Sequence, residues 1–182
     1  MNPWPLLEKY YPPGDPAREI LFAHSRAVAD KALAVAGRLA RSETLDLSFI
    51  EEASLLHDIG IRFVHAPTIG CHGDFPYLAH GYKGRELLES EGWPRHALVC
   101  ERHIGVGLSA ADILAQHLPL PLRDIIPESL EEIIIAYADL FFSKGEQELI
   151  REKEVERVRQ SVARFGAGNL ATFERWHARF AS

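Results

Sequence analysis

Four histidines and two aspartates fall where the hydrophobic pattern of the chain asks for core residues. His24 lies between Ile20 and Val28 on an otherwise apolar helical stripe, and His57-Asp58 stands just ahead of Ile59-Gly60. His80 opens the run His80-Gly81-Tyr82-Lys83-Gly84, and His103 ends a helix that starts at Pro94. Asp139 shares its helical face with Ile135, Ala136 and Phe142. Histidine is the usual source of neutral-pH chemistry and of metal ligation, and the chain holds nine. One histidine on an apolar stripe is ordinarily a hydrogen-bonded core residue. A carboxylate there is harder to accommodate, because once buried it must be paired, protonated or metal-bound. Asp58 adds a second difficulty: the helix dipole disfavours an acid at a helix C-terminus, and a divalent cation would supply the positive partner. The order His, His-Asp, His, His, Asp is therefore far more specific than any of its parts.

Positioning these groups takes helices. Asp15-Pro16 is an N-cap followed by a first-turn proline, and the pattern runs on to about Arg41 with Ile20, Ala27, Val28, Ala32 and Val35 on one face. Ser48-x-x-Glu51 reads as a capping box opening a second helix through Leu55-Leu56, with Gly60 as its C-terminal stop. Shorter helices are expected over about 79–90, 94–103 and 109–117. Ser129-x-x-Glu132 is another capping box, ahead of a helix from Ile133 to Phe142, and helices over about 146–165 and 169–181 complete the chain. Ile133-Ile134-Ile135 has strand propensity, but the cap and the flanking helices favour a buried helix. The stretch from Ile61 to Ala79, with Pro67, Gly70, Gly73 and Pro76, reads as a long loop of the kind usually reserved for function. The expected fold class is all-α. At roughly 150 residues per domain, 182 residues make one domain, 1–182, with a core at about 17–145 and C-terminal helices at about 146–181.

With His57-Asp58-Ile59-Gly60 at its centre, the order of ligand-type residues resembles the HD (HDIG) superfamily of metal-dependent phosphohydrolases. The resemblance spans about His24 to Lys144, and the stretches Glu101 to Leu108 and Ile126 to Glu132 look like an uncharacterised prokaryotic HDIG branch. It implies an all-α bundle holding one or two divalent metals, with His24, His57, Asp58 and Asp139 as ligands. Members with two further histidines, here His80 and His103, are typically dinuclear, with the HD aspartate, here Asp58, bridging. The intervals of 33, 22, 23 and 36 residues suit such a bundle. Cyclic-di-GMP phosphodiesterases of this superfamily carry a lysine after HDIG, a doubled histidine and a GYP triplet. Here Ile61 follows HDIG, Arg102-His103 replaces the doublet and GYP is absent, so that activity is not implied. The layout also resembles compact hydrolases of dinucleoside polyphosphates, and di-iron oxygenases of the same fold share it.

A mixed imidazole and carboxylate set suits Fe, Mn, Zn, Co or Ni better than Ca. A metal pair would lower the pKa of a bridging water toward ~7, and Asp58, the catalytic residue in this reading, would orient the resulting hydroxide toward phosphorus. The expected function is hydrolysis of a phosphoester or phosphoanhydride in a small nucleotide-like substrate. A di-iron oxygenase and a non-catalytic metal or nucleotide sensor are the alternatives. Phosphate needs fixed cations besides the metals. The candidates are Lys83, which projects from the same face as His80 three residues earlier, Arg62 after the HD helix, Lys144 after the Asp139 helix, and His72, read either as a lid contact or leaving-group acid or as a surface histidine. His65, His96, His117 and His177 lie outside the pattern, and Cys100 reads as a small apolar wall residue. A net charge of −6, from 20 Lys+Arg and 26 Asp+Glu, argues against nucleic acid or an anionic membrane as a partner. Cys71 and Cys100 have no zinc-knuckle spacing. The N-terminal Met1 to Pro5 has no signal-peptide pattern, and no run of 18 apolar residues occurs. The expectation is a soluble cytoplasmic protein, with a homodimer left open.

Overall fold

A computed structural model describes residues 2–145 and 150–181. The protein is all-α: α1 Trp4–Tyr10, α2 Arg18–Leu39, α3 Leu47–Leu56, α4 His80–Ser90, α5 Pro94–Arg102, α6 Ala110–Ala115, α7 Leu130–Asp139, α8 Val155–Ala163 and α9 Ala167–Phe180. The strand content among the described residues is a two-stranded antiparallel ribbon in which His65 pairs with His72 and Ala66 with Cys71. α2 is the central strut. Leu21 at its start belongs to one apolar cluster with Leu55, Leu56, Ile59 and Cys100. Val28, Ala32 and Val35 belong to a second with Ile134, Ile135, Phe141 and Phe173. His24 lies on α2 between those two sets, where both α3 and α7 pack against the helix.

Several local expectations change. The cap of α3 is Asp46, whose carboxylate accepts from Phe49 N at 2.9 Å, so Ser48 sits inside the helix. α3 ends at Leu56, and Gly60 lies within a 3-10 helix, Ile59–Phe63. The role of Gly60 is close approach: a Cβ there would fall 2.5 Å from Gly84 N, 2.8 Å from Gly84 Cα and nearer still to the His80 carbonyl. The glycine therefore lets α4 lie directly on the Asp58 turn. The supposed loop from Ile61 to Ala79 is ordered piecewise into that 3-10 helix, the ribbon and two more 3-10 turns, Pro67–Ile69 and Tyr77–Ala79.

α7 stops at Asp139, short of Phe142. The expected helix over 146–165 shrinks to Val155–Ala163. Residues 151–154 are not helical, and 146–149 lie outside the described residues. Lys153 accounts for part of this: its backbone N–H donates to Phe141 O at 2.8 Å, and its ammonium donates to Leu140 O at 3.2 Å and Phe142 O at 2.6 Å. Those carbonyls at the end of α7 would otherwise lack partners. α1, not anticipated, leads into the buried Tyr11, whose hydroxyl donates to Ile59 O at 2.7 Å and accepts from Arg62 N at 2.9 Å. No described helix is long and apolar enough to cross a membrane.

Candidate metal centre

α2 supplies His24, the C-cap of α3 supplies His57, and the next residue is Asp58; α7 ends on Asp139. His80 begins α4 and His103 caps α5. His57 and Asp58 are fully buried, the four histidines are at most 4% exposed, and the Asp139 side chain is 17% exposed.

Asp58 organises the centre through its two oxygens. Oδ2 lies 3.1 Å from His24 Nε2 and 3.2 Å from His57 Nε2. Oδ1 lies 3.4 Å from His80 Nε2 and 3.5 Å from His103 Nε2. Asp139 Oδ1 completes the first group, 3.0 Å from His24 Nε2 and 3.5 Å from His57 Nε2. Two ligand sets result, His24/His57/Asp58/Asp139 and Asp58/His80/His103, with Asp58 common to both.

Three of the imidazoles are oriented in one way. Nδ1 of His57, His80 and His103 lies 2.6, 2.7 and 2.8 Å from the carbonyl three residues earlier, in Ser54, Tyr77 and Cys100 respectively. A carbonyl only accepts, so each Nδ1 carries a proton and each Nε2 points inward, free to present a lone pair whenever the ring is neutral. This is the outer-sphere bond that fixes the tautomer of metal-ligating histidines.

The residues fit a metal. His24 Nε2, His57 Nε2 and Asp58 Oδ1 are buried without a hydrogen-bond partner, a costly state for polar atoms. His80 Nε2 and His103 Nε2 also face each other at 3.1 Å. Two lone pairs at that distance repel unless a proton or a metal cation lies beside them. His80 does not readily supply that proton, because burial, reinforced by His103 and Lys144, pushes its pKa to about 3. On the other side, burial opposes charge on His57 and on Asp58. The facing Asp58 and Asp139 nevertheless raise His57 to about 10, while Lys144 and the surrounding imidazoles hold the Asp58 carboxyl well below its ordinary range.

Of the expected phosphate-binding residues, Lys144 lies in the centre. Its ammonium is 2.6 Å from Asp58 Oδ2, with the side chain 12% exposed. Burial works against that charge, yet Asp58, Tyr77 and Asp139 hold the Lys144 pKa above the usual lysine value. Lys83 is engaged elsewhere: it pairs with Glu86 at 2.7 Å and stands over the Phe75 ring. Arg62 turns to the N-terminal segment, donating to Tyr10 O. His72 sits exposed in the ribbon and, with Arg62, Asp15 and Tyr11, lines a separate cavity of about 280 Å³. The buried Cys100 packs against Gly84, and burial drives its thiol pKa well up, as suits an inert wall.

Tyr77 is a site residue that the sequence pattern did not reveal. Its carbonyl orients His80, its ring lies 4.8 Å from the His80 ring, and Lys144 Nζ lies 5.7 Å from the same ring. The available signal was its position three residues before His80, matching Ser54 before His57 and Cys100 before His103.

The chain is 29% identical over 172 residues to a tRNA (cytidine(56)-2'-O)-methyltransferase of Thermoplasma volcanium, covering 94% of this chain and 44% of that protein. It is 32% identical over 123 residues to an uncharacterized protein of Methanocaldococcus jannaschii, covering 66% of this chain and 65% of that one. A second tRNA (cytidine(56)-2'-O)-methyltransferase, from Picrophilus torridus, is 33% identical over 106 residues, 58% of this chain and 27% of that protein. The chain thus spans less than two thirds of the length of each of these relatives. No solved structure matches it significantly. The family model of the HD domain matches residues 21–142, a stretch from α2 past the end of α7 that contains all six converging side chains. HD-domain proteins bind divalent metals, and with two clusters here able to hold one, the chain belongs to the HD domain family.

Proposed function

We propose that this protein is a metal-dependent phosphohydrolase that cleaves a phosphoester or phosphoanhydride of a small nucleotide-like substrate at a dinuclear centre. One observation carries the reading: the two oxygens of the buried Asp58 face different histidine pairs, His24 and His57 on one side, His80 and His103 on the other. A carboxylate so placed could serve both ligand sets, and paired metal sites are a recurrent device for displacement at phosphorus. Bound divalent transition metals would supply Lewis acidity toward phosphoryl oxygens and acidify water.

The chain supplies the rest. Asp58 fixes the spacing of the two ligand sets, and the Nδ1 bonds to the carbonyls of Ser54, Tyr77 and Cys100 hold three rings in ligating orientation. Burial excludes bulk water from the ligands and strengthens every electrostatic contact made there. Lys144 is the fixed cation within reach of a phosphoryl oxygen, and it offsets the negative charge of Asp58 and Asp139. Tyr77 positions His80 and covers Lys144. The tRNA methylation named for two relatives is not carried over, since the chain matches 44% and 27% of those proteins.

Elemental analysis tests the centre directly. Purified protein is expected to hold one to two equivalents of transition metal, and Asp58→Ala to lose most of them. Metal-loaded wild type is expected to release phosphate or nucleotide from a panel of nucleotides, dinucleoside polyphosphates and cyclic dinucleotides. Full metal content in Asp58→Ala would sink the ligand assignment. Dioxygen consumption by iron-loaded protein without phosphate release would replace hydrolysis with oxygenation, and nucleotide-dependent stabilisation without turnover would make the protein a sensor.

A further inference from the structure

A cavity of about 260 Å³ is lined by α6, α8 and α9 and by the segments that follow α5 and α7, and three of its wall residues lie within two positions of candidate ligands in the chain. Leu78 lies two residues before His80, Ile104 follows His103, and Leu140 follows Asp139. The same backbone turns therefore build both the centre and the cavity. The remaining wall is chemically different from the centre. It is formed largely by Val106, Leu108, Leu118, Val162 and Phe165, with no lysine, arginine or histidine among the described residues of the lining. Its single charged lining residue, Asp112, is taken up by the α6 capping box, accepting from Ser109 Oγ at 2.5 Å. Gln116 and Asn169 are the amide residues of the lining, and Asn169 Nδ2 donates to Phe165 O at 3.1 Å.

The wall is also held in place. Leu108 and Ile125 exchange backbone hydrogen bonds of 2.9 and 2.8 Å, which pins the segment after α5. Phe165, 72% exposed, borders the opening. A concave, mostly apolar site with a few polar groups is the usual form of a small-molecule pocket. Its lack of fixed cations makes it unsuited to phosphate and suited to an uncharged group.

We infer that this cavity receives an uncharged planar ring, of nucleobase type, belonging to the substrate whose phosphoryl group lies at the Asp58 centre. This inference rests on the phosphohydrolase reading and adds specificity to it. Lys144 would meet the phosphoryl group beside the metals that the two ligand sets would hold, and Leu78, Leu118, Leu140 and Phe165 would enclose the ring. Gln116, and the amide oxygen of Asn169, whose nitrogen is bound to Phe165 O, are the lining groups able to meet the edge of the ring. Sugar phosphates and inorganic pyrophosphate lack such a ring and are poor substrates.

Two measurements on the full chain separate this inference from the one beneath it. The first is ligand-observed NMR with adenosine and with 1-naphthol, which carry a ring and no phosphate. Both are expected to bind wild type. Binding should weaken about tenfold in Phe165→Ala, the scale of losing one aromatic contact, and more in Leu118→Trp, which fills the space. The second is the ratio of kcat/KM for 1-naphthyl phosphate to that for methyl phosphate in metal-loaded protein. That ratio should exceed one in wild type and fall about tenfold in either variant. A preference for adenosine over naphthol identifies the amide edge as a nucleobase reader, whereas a preference for naphthol overturns the nucleobase assignment. If neither ring compound binds, and both phosphates are hydrolysed equally, the cavity assignment is wrong while hydrolysis stands. If the rings bind and the variants weaken them, but no phosphoester is cleaved, the cavity stands and the hydrolase reading fails. Phe165→Ala changes an exposed residue, so its folding is secure even if Leu118→Trp proves unstable.

Discussion

Gly60→Ala is a one-carbon change whose effect can be worked through from the backbone. The added Cβ would stand 2.5 Å from Gly84 N, against the 3.4–4 Å of ordinary van der Waals contact. The His80 carbonyl oxygen is closer still, and all the opposing atoms are backbone, so no side chain can swing aside and α4 must retreat by at least about 1 Å. His80 travels with α4, and its Nε2 starts 3.4 Å from Asp58 Oδ1. The retreat opens the Asp58/His80/His103 set. His24, His57 and Asp139 are carried by α2, α3 and α7, so the set they form with Asp58 is largely spared. Overpacking of this kind costs about 1–3 kcal/mol, or a Tm lower by about 2–12 °C for a chain of this length. A 1 Å misplacement at a reacting centre can cost about 10²-fold in rate. Metal analysis and thermal unfolding of the same preparation read both effects. The expected result is a fall from two equivalents toward one, with a lower Tm. Gly37→Ala is the control. A Cβ at Gly37 meets nothing within 4 Å, and replacing this glycine in the last turn of α2 should leave the fold intact or stabilise it by up to about 0.5 kcal/mol. A Gly60→Ala protein with full metal content and unchanged Tm would refute the idea that this contact sets the His80–Asp58 distance.

Two further expectations concern buried charge away from the centre. Glu101, 1% exposed, joins Arg85 at 2.5 Å and Arg123, tying α5 to α4 and to the segment before α7. Glu101→Gln should cost about 1–3 kcal/mol in urea unfolding; an unchanged midpoint would show the network to be solvent-equivalent. His96, buried between Phe49 and Trp93, has its pKa lowered by burial and the nearby Arg95, with Glu52 at 3.0 Å opposing. The unfolded chain then binds a proton that the fold resists, so this contribution is intact above about 6.5 and is lost as pH falls below it. Thermal unfolding from pH 8 to 5 should show the gap between wild type and His96→Gln narrowing toward acid, and a gap that widens contradicts the sign.

The helices and the six converging residues were legible for the same reason. A polar side chain on an apolar stripe is a local anomaly, visible in the spacing of residues around it. His24 between Ile20 and Val28, and Asp139 among Ile135, Ala136 and Phe142, announce themselves without any knowledge of what lies opposite. Local signals were weaker at ends and caps. Asp46 and Ser48 are both good capping residues, and the choice between them falls to whichever oxygen reaches Phe49 N. Gly60 resembled a helix stop, whereas its small size serves an approach by α4, a helix that begins twenty residues later.

By itself, the sequence determined an all-α chain and the residue types able to ligate a metal, because periodicity and burial preference are properties of neighbouring residues. Tertiary structure alone decided which oxygen of Asp58 meets which histidines. It also decided that Lys144, rather than Lys83 or Arg62, stands in the centre, and that residues next in the chain to His103 and Asp139 line an apolar cavity. These are relations between helices far apart in the chain, set by packing of backbone on backbone and by where each cation finds its nearest carboxylate or carbonyl. Helical spacing fixes the face a residue occupies; only the packed fold fixes what that face meets.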